Sequence, residues 1–368
     1  MGDPRNPALE AAIANDPFDR EAYLVYADWL EGQGDPRAQL IALQCSPHPE
    51  QHAGKAVRKL LADHQKYFLE PLARFGKAVV WKYGFIHSVS FNDGIGRHVT
   101  DLANVIAHPS ARFLVELGVS SRHLAEAIAV LAAAPPSLRT LSLSHEGPML
   151  MSLAPLAPVL AQLVSLSLYG SFALDVLARV PLTRLRTLAI RHDRVEHLQN
   201  TLGPALGELT TLSLRGGLSL DAIELPALEV AELALDESSP AIAGARWPKL
   251  RRLVLGPPVD PHLLAPLFRR TDLRALTELA IRGATHGEAL CTMLRDAPFA
   301  RQLRRLELSR GTLDDAAARA LAARPEAFDQ LEELDVSDNP LSDDGYAALD
   351  GMGVVDLVDD RRYDETGE

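Results

Sequence analysis

The stretch LEELDVSDNPLSDDG, Leu331 to Gly345, sets apolar residues at Leu331, Leu334 and Val336 and an asparagine at Asn339. Its last two apolar positions alternate with polar ones, the periodicity of a strand with one buried face. The same offsets of three and two recur upstream at Leu138/Leu141/Leu143, Leu163/Leu166/Leu168, Leu185/Leu188/Ile190 and Leu209/Leu212/Leu214. They continue at Val230/Leu233/Leu235, Leu250/Leu253/Leu255, Leu276/Leu279/Ile281 and Leu303/Leu306/Leu308, and weaker copies stand at Ile86/Val89/Phe91 and Leu114/Leu117/Val119. That makes eleven units whose starts lie 20 to 28 residues apart. One such unit cannot bury its own leucines, whereas stacked neighbours can.

With these triads, residues 84–350 resemble the leucine-rich repeat family. The resemblance implies an α/β fold, a leucine-rich repeat solenoid with one strand per repeat in a curved parallel sheet and irregular helices on the convex side. At ~4.8 Å between strands, eleven strands extend over about 50 Å. Asp260-Pro261 predicts a capped helix start, and the segments around 285–300 and 310–330 hold two- to three-turn helices. The connections near residues 215–250 are short and rich in Pro and Gly, so the helices should thin out there. The family's asparagine after the strand appears only as Asn339; Glu146, Ser171, Asp193, Gly217 and Pro258 stand at equivalent places, so an asparagine ladder does not hold these turns. Asp343 and Asp344 are expected to cap the helix after Asn339.

Residues 7–75 have a different texture. PALEAAIAN predicts a helix stopped by Asp16-Pro17. Asp19 caps a second helix that sets Tyr23, Leu24, Ala27 and Leu30 on one face, and Asp35-Pro36 opens a third. A fourth lies within residues 50–76, broken at Pro71, and VVWKYGFIHSVSF turns into the first strand. The stretch LVYADWLEGQGDPRAQLIALQ, through Tyr26-Ala27-Asp28-Trp29-Leu30-Glu31, Gly34-Asp35-Pro36-Arg37 and Leu43-Gln44, resembles the small N-terminal repeat-companion domain found ahead of repeat arrays in myxobacteria and planctomycetes. Ala38, Gln39 and Leu40 depart from its usual residues. The resemblance implies architecture and no catalytic chemistry. The expected organisation is a helical repeat-companion or capping domain at 1–80, the solenoid at 81–350 and an acidic tail or cap at 351–368. An open solenoid edge invites association unless covered. The all-helical domain is therefore expected to cap the edge at Ile86, Val89 and Phe91, with Tyr26, Trp29 and Leu30 in the contact. The other reading makes those residues a docking patch.

Composition bounds the function. The chain has 368 residues, 37 basic and 49 acidic, for a net charge of -12. An acidic protein without basic blocks is a poor partner for nucleic acid or an anionic membrane surface. No apolar run approaches the ~18 residues of a membrane span, and the N-terminus shows no signal peptide. Two distant cysteines, Cys45 and Cys291, suit a reducing compartment. A cytoplasmic monomer is expected.

No motif commits the chain to catalysis or a cofactor. Cys45, His48 and His52 have metal-like spacing, with His64 as a fourth candidate, but Pro47 and Pro49 flank His48 and favour a solvated loop. Asn92 to His98 is Gly-rich without a lysine and predicts a turn, not a phosphate cradle. Pro340 and Leu341 break the oxygen alternation a Ca²⁺ loop needs.

The strand positions between the leucines should face the cavity. In the N-terminal half these are mostly Ser and Thr; further on Arg191, Arg215, Arg252, Arg282 and Arg305 form a basic track, and Tyr169 an aromatic anchor. This points to a non-catalytic scaffold for a protein or peptide with an acidic segment. Two other readings stand beside it. One is a solvated face with ion pairs such as Arg305 with Glu333 or Glu278. The other is a peptide-modifying enzyme or its substrate-recognition subunit, using His145, His192, Tyr169 and Arg191. Arg269 and Arg270 are expected on the opposite, convex side.

Overall fold

The computed structural model describes residues 3–46, 54–70, 78–92, 99–147, 149–191, 206–215, 223–234, 244–256 and 260–358. They fall into two compact units, residues 1–176 and 177–368.

The first unit opens with α1 (Pro7–Asn15), α2 (Arg20–Gly32), α3 (Arg37–Gln44), α4 (Gly54–Asp63) and α5 (Gln65–Leu69). Local signals account for their starts. The Asn6 side chain accepts from Leu9 N–H, and Asp19 accepts from Glu21 N–H. Asp35 accepts from Arg37 N–H at 2.8 Å, with Pro36 between them. Where one strand was expected, the chain makes a hairpin of β1 (Val79–Lys82) and β2 (Phe85–Asn92), paired antiparallel. Tyr83 and Gly84 both take positive φ, 50° and 80°, as a two-residue turn that follows the strand twist requires. A Cβ on Gly84 would lie 2.3 Å from Ile41 Cγ1, so α3 leaves room there only for glycine. The expected apolar edge at β2 thus carries an added strand.

Next come α6 (Val99–Ala107), β3 (Glu116–Ser120), α7 (Leu124–Leu131), β4 (Thr140–Ser144), β5 (Met151–Ser152), α8 (Ala157–Leu160), β6 (Ser165–Tyr169) and β7 (Phe172–Ala173). β2, β3, β4 and β6 stack parallel with Val89, Leu117, Leu141 and Leu166 in register, and all four are buried. β5 and β7 pair separately.

In the second unit β8 (Thr187–Arg191), β9 (Thr211–Arg215), β10 (Val230–Ala234), β11 (Arg252–Gly256), β12 (Glu278–Ile281), β13 (Arg305–Glu307), β14 (Glu333–Asp335) and β15 (Asp356–Val358) pair parallel in chain order. Helices α9 (Pro261–Phe268), α10 (Gly287–Arg295), α11 (Asp315–Ala322) and α12 (Asp343–Asp350) connect the later strands. Among the described residues between β8 and β11 no α-helix occurs; residues 192–205, 216–222 and 235–243 of those connections, on which the expected thinning of helices falls, lie outside the described residues. A strand from each L-x-x-L-x-L unit, stacked in parallel on its neighbours, is the leucine-rich repeat arrangement. Burying one leucine fully contributes about 1.5–3 kcal/mol.

The register differs from expectation in one repeat. Ala231 pairs with Leu212 and Leu253, and Leu233 with Leu214 and Leu255, so the triad is Leu228/Ala231/Leu233, two residues earlier than the expected Val230/Leu233/Leu235. An alanine at the middle position hides the pattern. The shift is even, so the same side chains still face out. β15 was not expected either: Leu357 alone continues the leucine row, beside Leu334.

Asn339 fills the role its position implies. Its Oδ1 accepts from Gly311 and Leu313 N–H, and its Nδ2 donates to the Leu308, Val336 and Ser337 carbonyls, at 2.7 to 3.2 Å. α12 is capped by Ser342, whose side chain accepts from Asp344 N–H, while Asp343 and Asp344 occupy the first turn. The earlier residue wins because a cap needs extended backbone, here ψ 176°.

Candidate binding surface

Each strand turns its leucines inward and the residues between them outward, and the pairing register orders the outward residues into rows. In the first unit one row is Ser88, Glu116, Thr140 and Ser165, the next Ser90, Gly118, Ser142 and Ser167, the third Asn92, Ser120, Ser144 and Tyr169. Tyr169 ends β6 and is half-buried. Among these twelve positions Glu116 is the only charged one. A β-bulge on β2 leaves His87 as the extra residue between the partners of Val80 and Trp81. Its ring lies 3.9 Å from Glu116 and edge-on to Phe18.

The second unit's face is charged. Arg191 and Arg215 are register partners at the ends of β8 and β9, both exposed. On β10 the residue opposite Arg215 is Ala234. Arg252, Glu278, Arg305 and Glu333 follow one another in register. Arg252 lies 3.8 Å from Glu278 and Arg305 lies 3.2 Å from Glu333. Arg282 holds Glu307 in a bidentate pair at 2.5 and 2.8 Å, and Ser309 Oγ donates to the same carboxylate at 2.8 Å. These donors, Arg282 first, keep the Glu307 carboxyl below the usual glutamate range despite its burial. The expected basic track is therefore not continuous. Arg252, Arg282 and Arg305 each face a glutamate of the neighbouring strand, and Arg191 and Arg215 stand as a like-charged neighbouring pair. Aligning the strands by repeat brings Arg252, Glu278, Arg305 and Glu333 to one position, the signal that locates these pairs in the sequence.

Other candidates resolve as follows. Arg269 is exposed, but Arg270 is buried, paired with Asp272 at 2.7 Å and set over Trp247, so it is no surface charge. Cys45 and Cys291 are free and buried; burial raises the first thiol and pushes the second up to about 12, which makes both poor nucleophiles. His48, His52, His192, Asp193, Gly217, Pro258 and residues 93–98 lie outside the described residues. Among the described residues no group of His, Cys, Asp or Glu is placed to hold a metal ion, and no helix is long and apolar enough to cross a membrane.

The residues that sequence reasoning missed are buried arginines binding the N-terminal helices to the first repeats. Arg37 pairs with Asp35 at 3.1 Å, donates to Tyr67 Oη and Ser110 Oγ, and packs over the Tyr67 ring. Arg112 meets Asp3, Glu10 and Tyr26. Arg139 donates to the Ala14 and Asn15 carbonyls at the end of α1, at 2.6 and 3.0 Å. Cation donors suit a helix C-terminus, where carbonyls lack partners.

No family model matches the sequence, and no curated protein sequence matches it. Among solved structures, a Bacteroides fragilis protein is similar at 19% identity, covering 83% of this chain and 82% of that one with a TM-score of 0.44. An internalin of Listeria monocytogenes is similar at 18% identity, covering 67% and 74% with a TM-score of 0.40. A leucine-rich repeat protein of Leptospira interrogans is similar at 15% identity, covering 65% and 70% with a TM-score of 0.29. At such values nothing about function passes from those proteins to this chain.

Proposed function

We propose that the chain is a non-catalytic scaffold that holds a protein or peptide segment on the outward face of its parallel strands. The observation that carries this reading is the row order. The stacked parallel strands commit their apolar row to the core and leave regular rows of outward side chains. Arg191 and Arg215 are the recognition residues for an acidic segment, because they are exposed, adjacent in register and of the sign that complements it. Tyr169 serves as an aromatic anchor on the first unit's face. Arg252, Arg282 and Arg305 take part as ion pairs, contributing shape and register more than net attraction.

Residues 1–80 act as a repeat-companion domain that caps the array at 81–350, and 351–368 close the other end. The contacts of Arg37, Arg112 and Arg139 support the cap, since the first two tie the N-terminal helices to the connection between α6 and β3 and the third ties the end of α1 to the connection between α7 and β4. Two buried free thiols suit a reducing compartment, here the bacterial cytoplasm, and the protein works as a monomer.

The test is a pull-down from the native host with the intact chain and two charge-reversed forms. Arg191→Glu with Arg215→Glu should lose the partner. Arg269→Glu with Arg301→Glu, both exposed in connecting segments, should keep it. The opposite pattern contradicts the assignment of the face.

A further inference from the structure

In the first unit a cavity of about 420 Å³ opens between α1 and the connection from α6 to β3. Small-molecule sites span about 300–1,000 Å³. Ala11, Ala14, Ile106, Pro109, Phe113 and Pro135 give it apolar walls, and Asp3, Glu10 and Arg112 cluster in its lining. The two acids there are held differently. Glu10 is fixed: its side chain is 9% exposed, accepts from Arg5 at 2.7 to 3.0 Å and from Arg112 at 3.2 Å. Burial opposes its ionisation, yet Arg5 and Arg112 keep its carboxyl below the usual glutamate range. Arg112, also 9% exposed, spends Nη1 on Glu10, Tyr26 Oη and the Pro4 carbonyl, whereas Nη2 donates to Asp3. Asp3 is 31% exposed, precedes α1 and belongs to no helix or strand. Its other oxygen lies 3.5 Å from Arg37, which has Asp35 closer, at 3.1 Å.

We infer that this cavity is a site for a small monocarboxylic acid with an apolar body, whose carboxylate takes the place of Asp3 on Arg112 while the body lies against the apolar walls. Asp3 is then a built-in competitor. Its contact with Arg112 shows that a carboxylate fits beside Glu10. Its release uncovers no core, since it lies outside every helix and strand. A guanidinium pairs with a carboxylate through charge-assisted hydrogen bonds, and a neutral molecule in the place of Asp3 would leave a buried charge short of a partner. The walls add the burial of the ligand's apolar body. A tethered group competes at an effective concentration in the mM range, so Asp3 weakens the binding of a free acid. The site uses α1 and two connections and no outward strand residue, so it stands apart from the scaffold reading.

The experiment is isothermal titration of the intact chain with phenylacetate and with phenylacetamide, the same body without the charge. Asp3→Asn, which removes the competing charge and keeps the shape, should bind the acid about tenfold more tightly than the parent. Neither protein should bind the amide. Ala11 is exposed on α1 and lines the cavity, so Ala11→Phe fills the space without touching the core. Asp3→Asn with Ala11→Phe should lose the acid at an unchanged melting temperature. The parent guards against a poorly folding variant: the acid, and not the amide, should raise its melting temperature as concentration rises. Equal binding of acid and amide overturns the part given to Arg112. Binding that survives Ala11→Phe overturns the site, and so does a parent whose melting temperature the acid leaves unmoved.

Discussion

Arg37 Nη1 lies 3.1 Å from Asp35 Oδ2, and both side chains are 1% exposed. Asp35 also accepts from Arg37 N–H and from Tyr67 Oη, so a single carboxylate caps α3, neutralises a buried guanidinium and fixes a tyrosine. Arg37 in turn reaches Ser110, whose hydroxyl donates to the Phe68 carbonyl at 2.9 Å. Removing one partner of a buried pair leaves the other charged and dry, which costs about 3–5 kcal/mol. Arg37→Met is therefore expected to lower the urea midpoint sharply, and Arg37→Met with Asp35→Asn to recover part of the loss. Equal stability of the single variant and the parent contradicts the role given to this pair.

The strand register is tested by neighbours. Leu188 is fully buried, whereas Thr187 is half-buried on the outward face. Leu188→Asp puts an unpaired charge in the core and should consume much of a typical ~5–15 kcal/mol stability. Thr187→Asp should be close to neutral. Thermal unfolding of the two proteins decides, and similar losses would contradict the register.

The ion pairs of the outward face are partly solvated, with Arg282 39% and Glu307 24% exposed. Pairs of that kind couple by about 0.2–1 kcal/mol. A double-mutant cycle of Arg282→Ala and Glu307→Ala should give a coupling in that range that shrinks as salt is added. A much larger, salt-insensitive coupling would mark the pair as a structural element and not part of a solvent-facing surface.

Asn339 Oδ1 accepts from both Gly311 and Leu313 N–H at 3.1 Å, the partner of those two amides among the described residues. Asn339→Ala leaves those donors unsatisfied at about 1–3 kcal/mol for a buried group. Hydrogen exchange should quicken at those two amides first, and unchanged protection would show that the turn holds without the side chain.

Acid sensitivity follows from two histidines. His87 and His108 are both held below the ordinary histidine range, chiefly by burial, with Lys82 adding to the first and Arg37 to the second. At His108, Nδ1 accepts from Ser110 N–H and Nε2 faces the Glu70 carbonyl, each at 3.1 Å, which fixes a neutral ring. A depressed folded pKa means that the unfolded chain binds the proton more tightly. The stabilising contribution is thus full above the unfolded value of ~6.5 and is lost as pH falls through the folded values. Urea unfolding between about pH 7.5 and 5.5 should show this decline, and His87→Gln with His108→Gln should flatten it.

Much of this fold is legible in the sequence because leucine spacing is a direct image of burial. Leu188, Leu212, Leu279 and Leu306 sit where the triads place them. What was hidden is explained by particular residues. Ala231 is small enough to fill the middle core position without signalling it, which moved one register by two. Tyr83 at positive φ is a rare turn residue, so the sequence does not signal the turn that separates β1 from β2. Arg37 follows a cap signal in the sequence, and only the packing of Tyr67, Phe68 and Ser110 around it makes it a buried centre. On the surface, the arginines were legible one by one, but their neutralisation by Glu278, Glu307 and Glu333 depends on which strands adjoin.

The central claim is that the outward face, at Arg191 and Arg215, is where a partner binds. Isothermal titration of the purified partner measures this most directly, with the parent chain, Arg191→Glu with Arg215→Glu, and Arg269→Glu with Arg301→Glu. The first variant should lose about tenfold or more in affinity, ~1.4 kcal/mol, with an unchanged melting temperature, and the second should bind as the parent does. Loss of affinity in the second variant and not in the first would contradict the claim.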